Sequence, residues 1–111
     1  MKYRVYLCVK MQSDKWGTIG GNHSILWDLR SLIEASSGWT VLNQEDIGPA
    51  DSFIPRLEKG ILELTQHTEA YRNYEVFYGI GTIDNAVAFY TGLLKDCKTH
   101  PFTELYGCIV A

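Results

Sequence analysis

Residues 2 to 11 alternate without a break. Tyr3, Val5, Leu7, Val9 and Met11 fall on one face; Lys2, Arg4, Tyr6, Cys8 and Lys10 fall on the other. A period of two is the signature of a strand with one buried face. A one-residue slip in its pairing would turn the whole apolar set toward water, so its register is tightly specified. Everything downstream has to cover that face. Residues 103 to 110 alternate again, with Leu105, Gly107 and Ile109 opposite Glu104, Tyr106, Cys108 and Val110. Between these ends, Gln12 to Lys15 reads as a polar turn, and Trp16 to Asn22 as a returning second strand. The pair Gly20-Gly21 marks a bulge in that strand or the close approach of another backbone.

The middle of the chain is helical in period. Ser24 is a good N-cap for a first helix carrying Ile25, Leu26, Leu29, Leu32 and Ile33, with Gly38 as its stop. Trp39 to Gly48 reads as a loop with room for one short extended piece, anchored by Trp39, Val41 and Ile47. A second helix is expected from near Ser52, because Pro55 fits best in a first turn. Its apolar stripe is Ile54, Leu57, Ile61, Leu62 and Leu64. Gly60 inside it costs about 1 kcal/mol against Ala, which suggests that another element passes close there. Thr68 is expected to cap a short helical turn over residues 69–74. Thr82 is expected to cap the clearest helix, whose stripe is Ile83, Ala86, Val87, Tyr90, Leu93, Leu94 and Cys97. His100-Pro101 ends that helix. The expected fold is therefore α+β and a single domain over residues 1–111. It has a three-stranded antiparallel sheet with about three helices on one face, in the order ββαααβ.

With 111 residues, 46% apolar and 21% charged, the chain can bury a core without a disulfide or a structural metal. Its net charge of −3 argues against nucleic-acid binding, which needs a basic face. The tightest cationic group, Lys95, Lys98 and His100, is interrupted by Asp96 and reads as a solvated helix end. Three cysteines without a CxxC spacing read as free thiols in a reducing compartment. No signal peptide and no apolar run of about 20 residues is present, so a cytoplasmic protein away from membranes is expected.

Recognisable chemistry fails on spacing. His23, His67 and His100 lie far apart, and Cys97-x-x-His100 has no second pair, so neither metal nor cofactor is expected. No GxSxG is present, and Glu34, Glu45, Asp46 and Asp51 carry no sign of a paired-carboxylate site. Two glycine-containing junctions remain. One runs through Trp16, Gly20-Gly21, Asn22 and His23 to Trp27; the other runs through Phe77, Tyr78, Gly79, Ile80 and Gly81 to Thr82. Neither has a Walker lysine or a complete GxGxxG. If they lie side by side, they form either a structural clamp or a shallow aromatic-polar site. The candidate binding residues are Trp16, Asn22, His23, Trp27, Tyr78, Gly81 and Thr82.

Four segments carry a resemblance. They are Asn22-His23-Ser24 before Ile25-Leu26-Trp27; Ile54-Pro55-Arg56-Leu57-Glu58-Lys59-Gly60-Ile61; residues 69–74 with Tyr78-Gly79-Ile80-Gly81; and residues 93–101. Together they resemble a family of small uncharacterised bacterial and phage proteins. In that family an asparagine-histidine or asparagine-threonine turn precedes the first helix, and an Asn-Gly-Trp-Gly turn precedes the last. Tyr78 and Ile80 depart from the second motif. The resemblance brings no activity; it implies a compact accessory protein whose two turns meet.

The functional expectation is a non-enzymatic module of immunity or anti-defence type that binds a protein partner, and its acidic balance suits a basic one. The alternatives are a small-molecule binder at the Asn22-His23 and Tyr78-Thr82 turns, and an enzyme using His23 as general base. A free sheet edge would also allow a homodimer.

Overall fold

The computed structural model describes residues 1–10, 16–39, 46–76 and 81–110, with the side chains of Trp16 and Asp46 excepted. Met11, the turn Gln12–Lys15, Val41, Glu45 and the segment Phe77–Ile80, including Tyr78, lie outside the described residues.

The chain is α+β, with a four-stranded antiparallel sheet rather than the expected three strands. The strands are β1 (Lys2–Lys10), β2 (Trp16–Leu26), β3 (Asp46–Pro49) and β4 (Glu104–Val110), in the spatial order β2-β1-β4-β3. The extra strand takes up the short extended piece expected in the Trp39–Gly48 segment but lies at its end and runs on to Pro49, and it pairs with β4 through Asp46↔Tyr106 and Pro49↔Glu104. The helices are α1 (Arg30–Ser37), α2 (Ala50–Gln66) and α3 (Ile83–Thr99), with short 3₁₀ turns at Trp27–Leu29 and Thr68–Tyr74.

The alternation of β1 holds as far as Leu7: Tyr3, Val5 and Leu7 are buried against the helical layer, but Cys8, expected on the open face, is buried and Val9 is only half-buried. The Tyr3 hydroxyl lies where a Cβ at position 107 would stand, so β4 needs Gly107 opposite that ring. The second strand is longer than expected. Ser24 is not a helix cap: it sits in β2 opposite Arg4, and Ile25 pairs with Tyr3. The strand continues because Gly20-Gly21-Asn22 forms the suspected bulge. The register passes from Leu7↔Ile19 to Val5↔His23, leaving three β2 residues against Tyr6 alone. Gly20 takes φ +76°, which L side chains rarely adopt.

The second helix begins at Ala50, so Pro55 stands inside it rather than in its first turn. Its missing N–H removes one interior hydrogen bond, which a 17-residue helix packed on a core tolerates. The buried stripe is Ala50, Phe53, Leu57, Gly60 and Leu64, spaced i, i+3, i+7, i+10, i+14; Leu62 points outward. Thr68 does not cap the turn after it; its hydroxyl donates to the Leu64 carbonyl. Thr82 does cap α3, in a capping box with Asn85. Gly38 stops α1 as expected, at φ +76°. At the centre, the fully buried Trp39 ring stacks on Phe89 at 6.2 Å and meets Phe53 edge-on at 5.4 Å.

Gly60 is where α2 lets α3 through. A Cβ at position 60 would stand 2.6 Å from the ring of Tyr90. The Tyr90 hydroxyl reaches past α2 to α1, lying 2.7 Å from Ser36 Oγ and donating to the Ile33 carbonyl at 3.1 Å. Burial pushes this phenol up to about 12. Alanine at position 60 would gain about 1 kcal/mol in an open helix, but overpacking a fixed ring costs about 1–3 kcal/mol or more. Gly60→Ala is therefore expected to lower stability by about 1–2 kcal/mol net. Urea unfolding measures this, and a stabilised variant would mean that the two helices are not held so close.

Candidate functional site

The Gly20–Asn22 bulge turns the chain toward α3, and Asp96 of α3 meets it. One oxygen of that carboxylate, Oδ2, accepts the Gly21 N–H at 2.9 Å and the His23 Nε2–H at 2.6 Å. Both side chains of the pair are largely covered, at 15% and 20% exposure. A Cβ at Gly20 would stand 2.8 Å from the same oxygen, so the left-handed glycine also makes room for the carboxylate. A carboxylate three residues from a helix C-terminus is disfavoured by the dipole, by about 0.3–1 kcal/mol. Hydrogen bonds to a charged group contribute about 1.5–3 kcal/mol each and outweigh it. Burial works to raise the Asp96 pKa. The bonds from His23 and Gly21, with the charges of His23 and His100, overcome that and hold it below the usual carboxylate value.

This arrangement limits what His23 can do. With Asp96 ionised, the proton of their bond lies on Nε2, leaving Nδ1 as the acceptor in the neutral ring. Nδ1 lies over Gly92 of α3, 3.0 Å from where a Cβ would stand. The imidazole is thus clasped between a carboxylate and a helix backbone. Among the described residues, no group of three or more His, Cys, Asp or Glu side chains is placed to hold a metal ion.

The second junction is also internally bonded. Glu75 accepts the Ile83 N–H at 2.9 Å, which, with Arg72, holds that carboxyl below its usual value against the effect of burial. The Thr82 hydroxyl accepts the Asn85 N–H at 3.2 Å, and the Thr82 carbonyl accepts the Ala86 N–H at 3.2 Å. An anion arriving at this helix start would meet the Glu75 carboxylate already in place.

The candidate residues therefore separate. Asn22 and His23 line a cleft of about 410 Å³ between β2 and α3, together with Lys2, Ser24, Ile25, Leu26, Asn85, Ala88 and Phe89. Gly81 is buried beside Val76, and a Cβ there would lie 3.4 Å from Leu26, so among the described residues the second junction neighbours β2 at Leu26. Thr82 serves as a cap. Trp27 packs on Tyr3 at 5.7 Å beneath the Arg30 guanidinium, 5.1 Å away, and is not part of the cleft lining. Tyr78 and the Trp16 side chain lie outside the described residues.

Sequence reasoning missed Asp96, Lys2, Asn85, Ala88 and Phe89. The partner of His23 is 73 residues away, and the local pattern around Asp96 is that of an ordinary charged helix end. A second concave surface was also unmarked. It is a groove of about 640 Å³ on the outer side of α2 and α3, lined by Pro55, Ile61, Leu62 and Leu94 with Glu58, Lys59 and Thr65. No family model, curated protein or solved structure matches this chain.

The clasp has a pH signature. Asp96 has a depressed folded-state pKa, so its stabilisation is complete above the ordinary carboxylate value and lost as pH falls through the folded value. Asp96→Ala is expected to cost about 2–3 kcal/mol at pH 7. The difference from wild type should shrink below pH 3.8, the unperturbed value. Denaturant unfolding at pH 7 and at acid pH checks this; an equal penalty at both would contradict the clasp.

Proposed function

We propose that this chain is a non-enzymatic binding protein, of immunity or anti-defence type, that acts by covering a protein partner. The observation that carries the reading is the apolar groove on α2 and α3. Leu62 is 52% exposed there, although Leu is among the residues most often buried. It stands beside Ile61, Leu94 and Pro55 in a concave surface rather than singly. Ile61 and Leu94 are half-buried, so with Leu62 they leave a continuous apolar strip rimmed by charge, as association surfaces do. Here the rim includes Glu58, which pairs with Lys98 at 3.6 Å. The chain's net charge of −3 favours a basic partner, and such an association weakens with salt. The clasped position of His23 supports the non-enzymatic part of the reading.

Leu62→Lys tests it. A surface change of this kind is expected to alter stability by less than about 0.5 kcal/mol. It should weaken association by at least tenfold, about 1.4 kcal/mol, because a charge enters the apolar groove and repels a basic partner. Affinity capture from a host lysate at low and high salt, with quantitative recovery on both chains, gives the comparison. Equal recovery on both chains, or no specific recovery on either, would overturn the reading.

A further inference from the structure

The cleft beside β2 has an unusual wall. Five consecutive strand residues, Asn22 to Leu26, line it. Successive side chains on a strand point to opposite faces, so a wall made of five in a row is the strand's backbone edge and not one of its faces. β2 is the outermost strand in the order β2-β1-β4-β3. The opposite wall is the α3 surface at Asn85, Ala88 and Phe89, spaced i, i+3, i+4. The Asp96 clasp stands at one end of the cleft, beside His23.

Edges of this kind are normally blunted by shortness, proline, charge, a bulge or a cover. The other edge strand, β3, has four residues and ends in Gly48-Pro49. On β2, the bulge and Asp96 occupy Gly20 to His23, but the stretch beyond, Ser24 to Leu26, carries no proline and no charged residue. Among the described residues no strand pairs with its outer side. The cleft's charge is also distinctive. On a chain of net charge −3, the charged side chain in its lining is the cation Lys2, and the carboxylate at its end, Asp96, is already engaged by His23 and the Gly21 N–H.

We propose that this edge accepts an extended acidic peptide segment of a protein partner as a fifth strand, with the helix α3 as the second wall. Main-chain hydrogen bonds to alternate residues of β2 would supply affinity. Lys2, opposite Leu26 in the β1–β2 register, would pair with a carboxylate of the incoming segment. Ser24 to Leu26, the stretch beyond the clasp, spans about 10 Å, room for about three residues of extended chain. The proposal goes beyond the protein-binding reading: its surface is separate from the Leu62 groove, and its acidic segment is distinct in charge from the basic partner expected there.

The test pans a random linear dodecapeptide library on the full chain, then measures the selected peptides by fluorescence anisotropy. Expected are acid-containing peptides whose affinity falls at least tenfold in Ala88→Trp and less than twofold in Ala88→Ser. Ala88 is exposed, so both variants should melt as wild type does. N-methylation of alternate peptide amides should abolish binding, and Leu62→Lys should leave it intact. That last result separates this site from the groove: loss of lysate partners in Leu62→Lys alone would leave the peptide result standing. The proposal is overturned if no peptide is enriched, or if binding survives Ala88→Trp or N-methylation. It is also overturned if inorganic phosphate or nucleotides raise the melting temperature in an Ala88→Trp-sensitive way. Sedimentation showing a dimer that Ala88→Trp dissociates would instead assign the edge to a second copy.

Discussion

One phenol fixes the helical layer. Tyr90 leaves α3, passes α2 at Gly60 and bonds to Ser36 and the Ile33 carbonyl on α1. Three helices are thereby held by a single side chain that is wholly buried. An unmade hydrogen bond in such a place costs about 1–3 kcal/mol, so the hydroxyl selects one arrangement of the layer over its neighbours. An apolar ring alone would tolerate sliding. With α3 set against α1 and α2, its other side is presented to β2 at a fixed height, and the cleft beside β2 and the groove on α2 and α3 follow from that placement.

The Asp96 clasp then decides how α3 meets the sheet. It gathers the bulge N–H and the imidazole of His23 on one oxygen, which pulls β2 and α3 together at that point. Beyond it the strand runs on to Leu26 with its outer side free of any described strand. The clasp and the cleft are thus two consequences of one bulge. The residue most suggestive of catalysis, His23, is explained by this architecture: it is a polar strut whose ring fills the space above Gly92. The groove on the far side of α2 and α3 comes from Leu62, which lies off the buried stripe of α2.

What the sequence disclosed was local. The alternation of β1 as far as Leu7, the stop at Gly38, the cap at Thr82 and the crowding at Gly60 each depend on a few neighbouring residues, and each was legible. Ser24 misled because a hydroxyl before an apolar run is a cap signal, yet the pairing of Ser24 with Arg4 overrides it, as tertiary context overrides propensity. Pro55 misled because a helix anchored by packing at Ala50 and Phe53 can carry a proline that an isolated helix could not. β3 is built from Asp46, Ile47, Gly48 and Pro49, residues of mostly poor strand propensity, and exists because β4 pairs with it. The Asn22 and His23 part of the candidate site was visible as a glycine-flanked polar pair. Its other wall was not, because no rule of spacing links position 23 to positions 85, 88 and 96.

The central claim is that β2 beyond the bulge is an open edge held beside α3. Amide hydrogen exchange in the free protein reads this residue by residue. In an antiparallel ladder an edge strand bonds only alternate N–H groups to its neighbour. The account predicts alternating protection over Asn22 to Leu26, against protection of successive amides through β1, which is paired on both sides. Uniform strong protection of Asn22 to Leu26 would mean that the edge is already covered, and would contradict it.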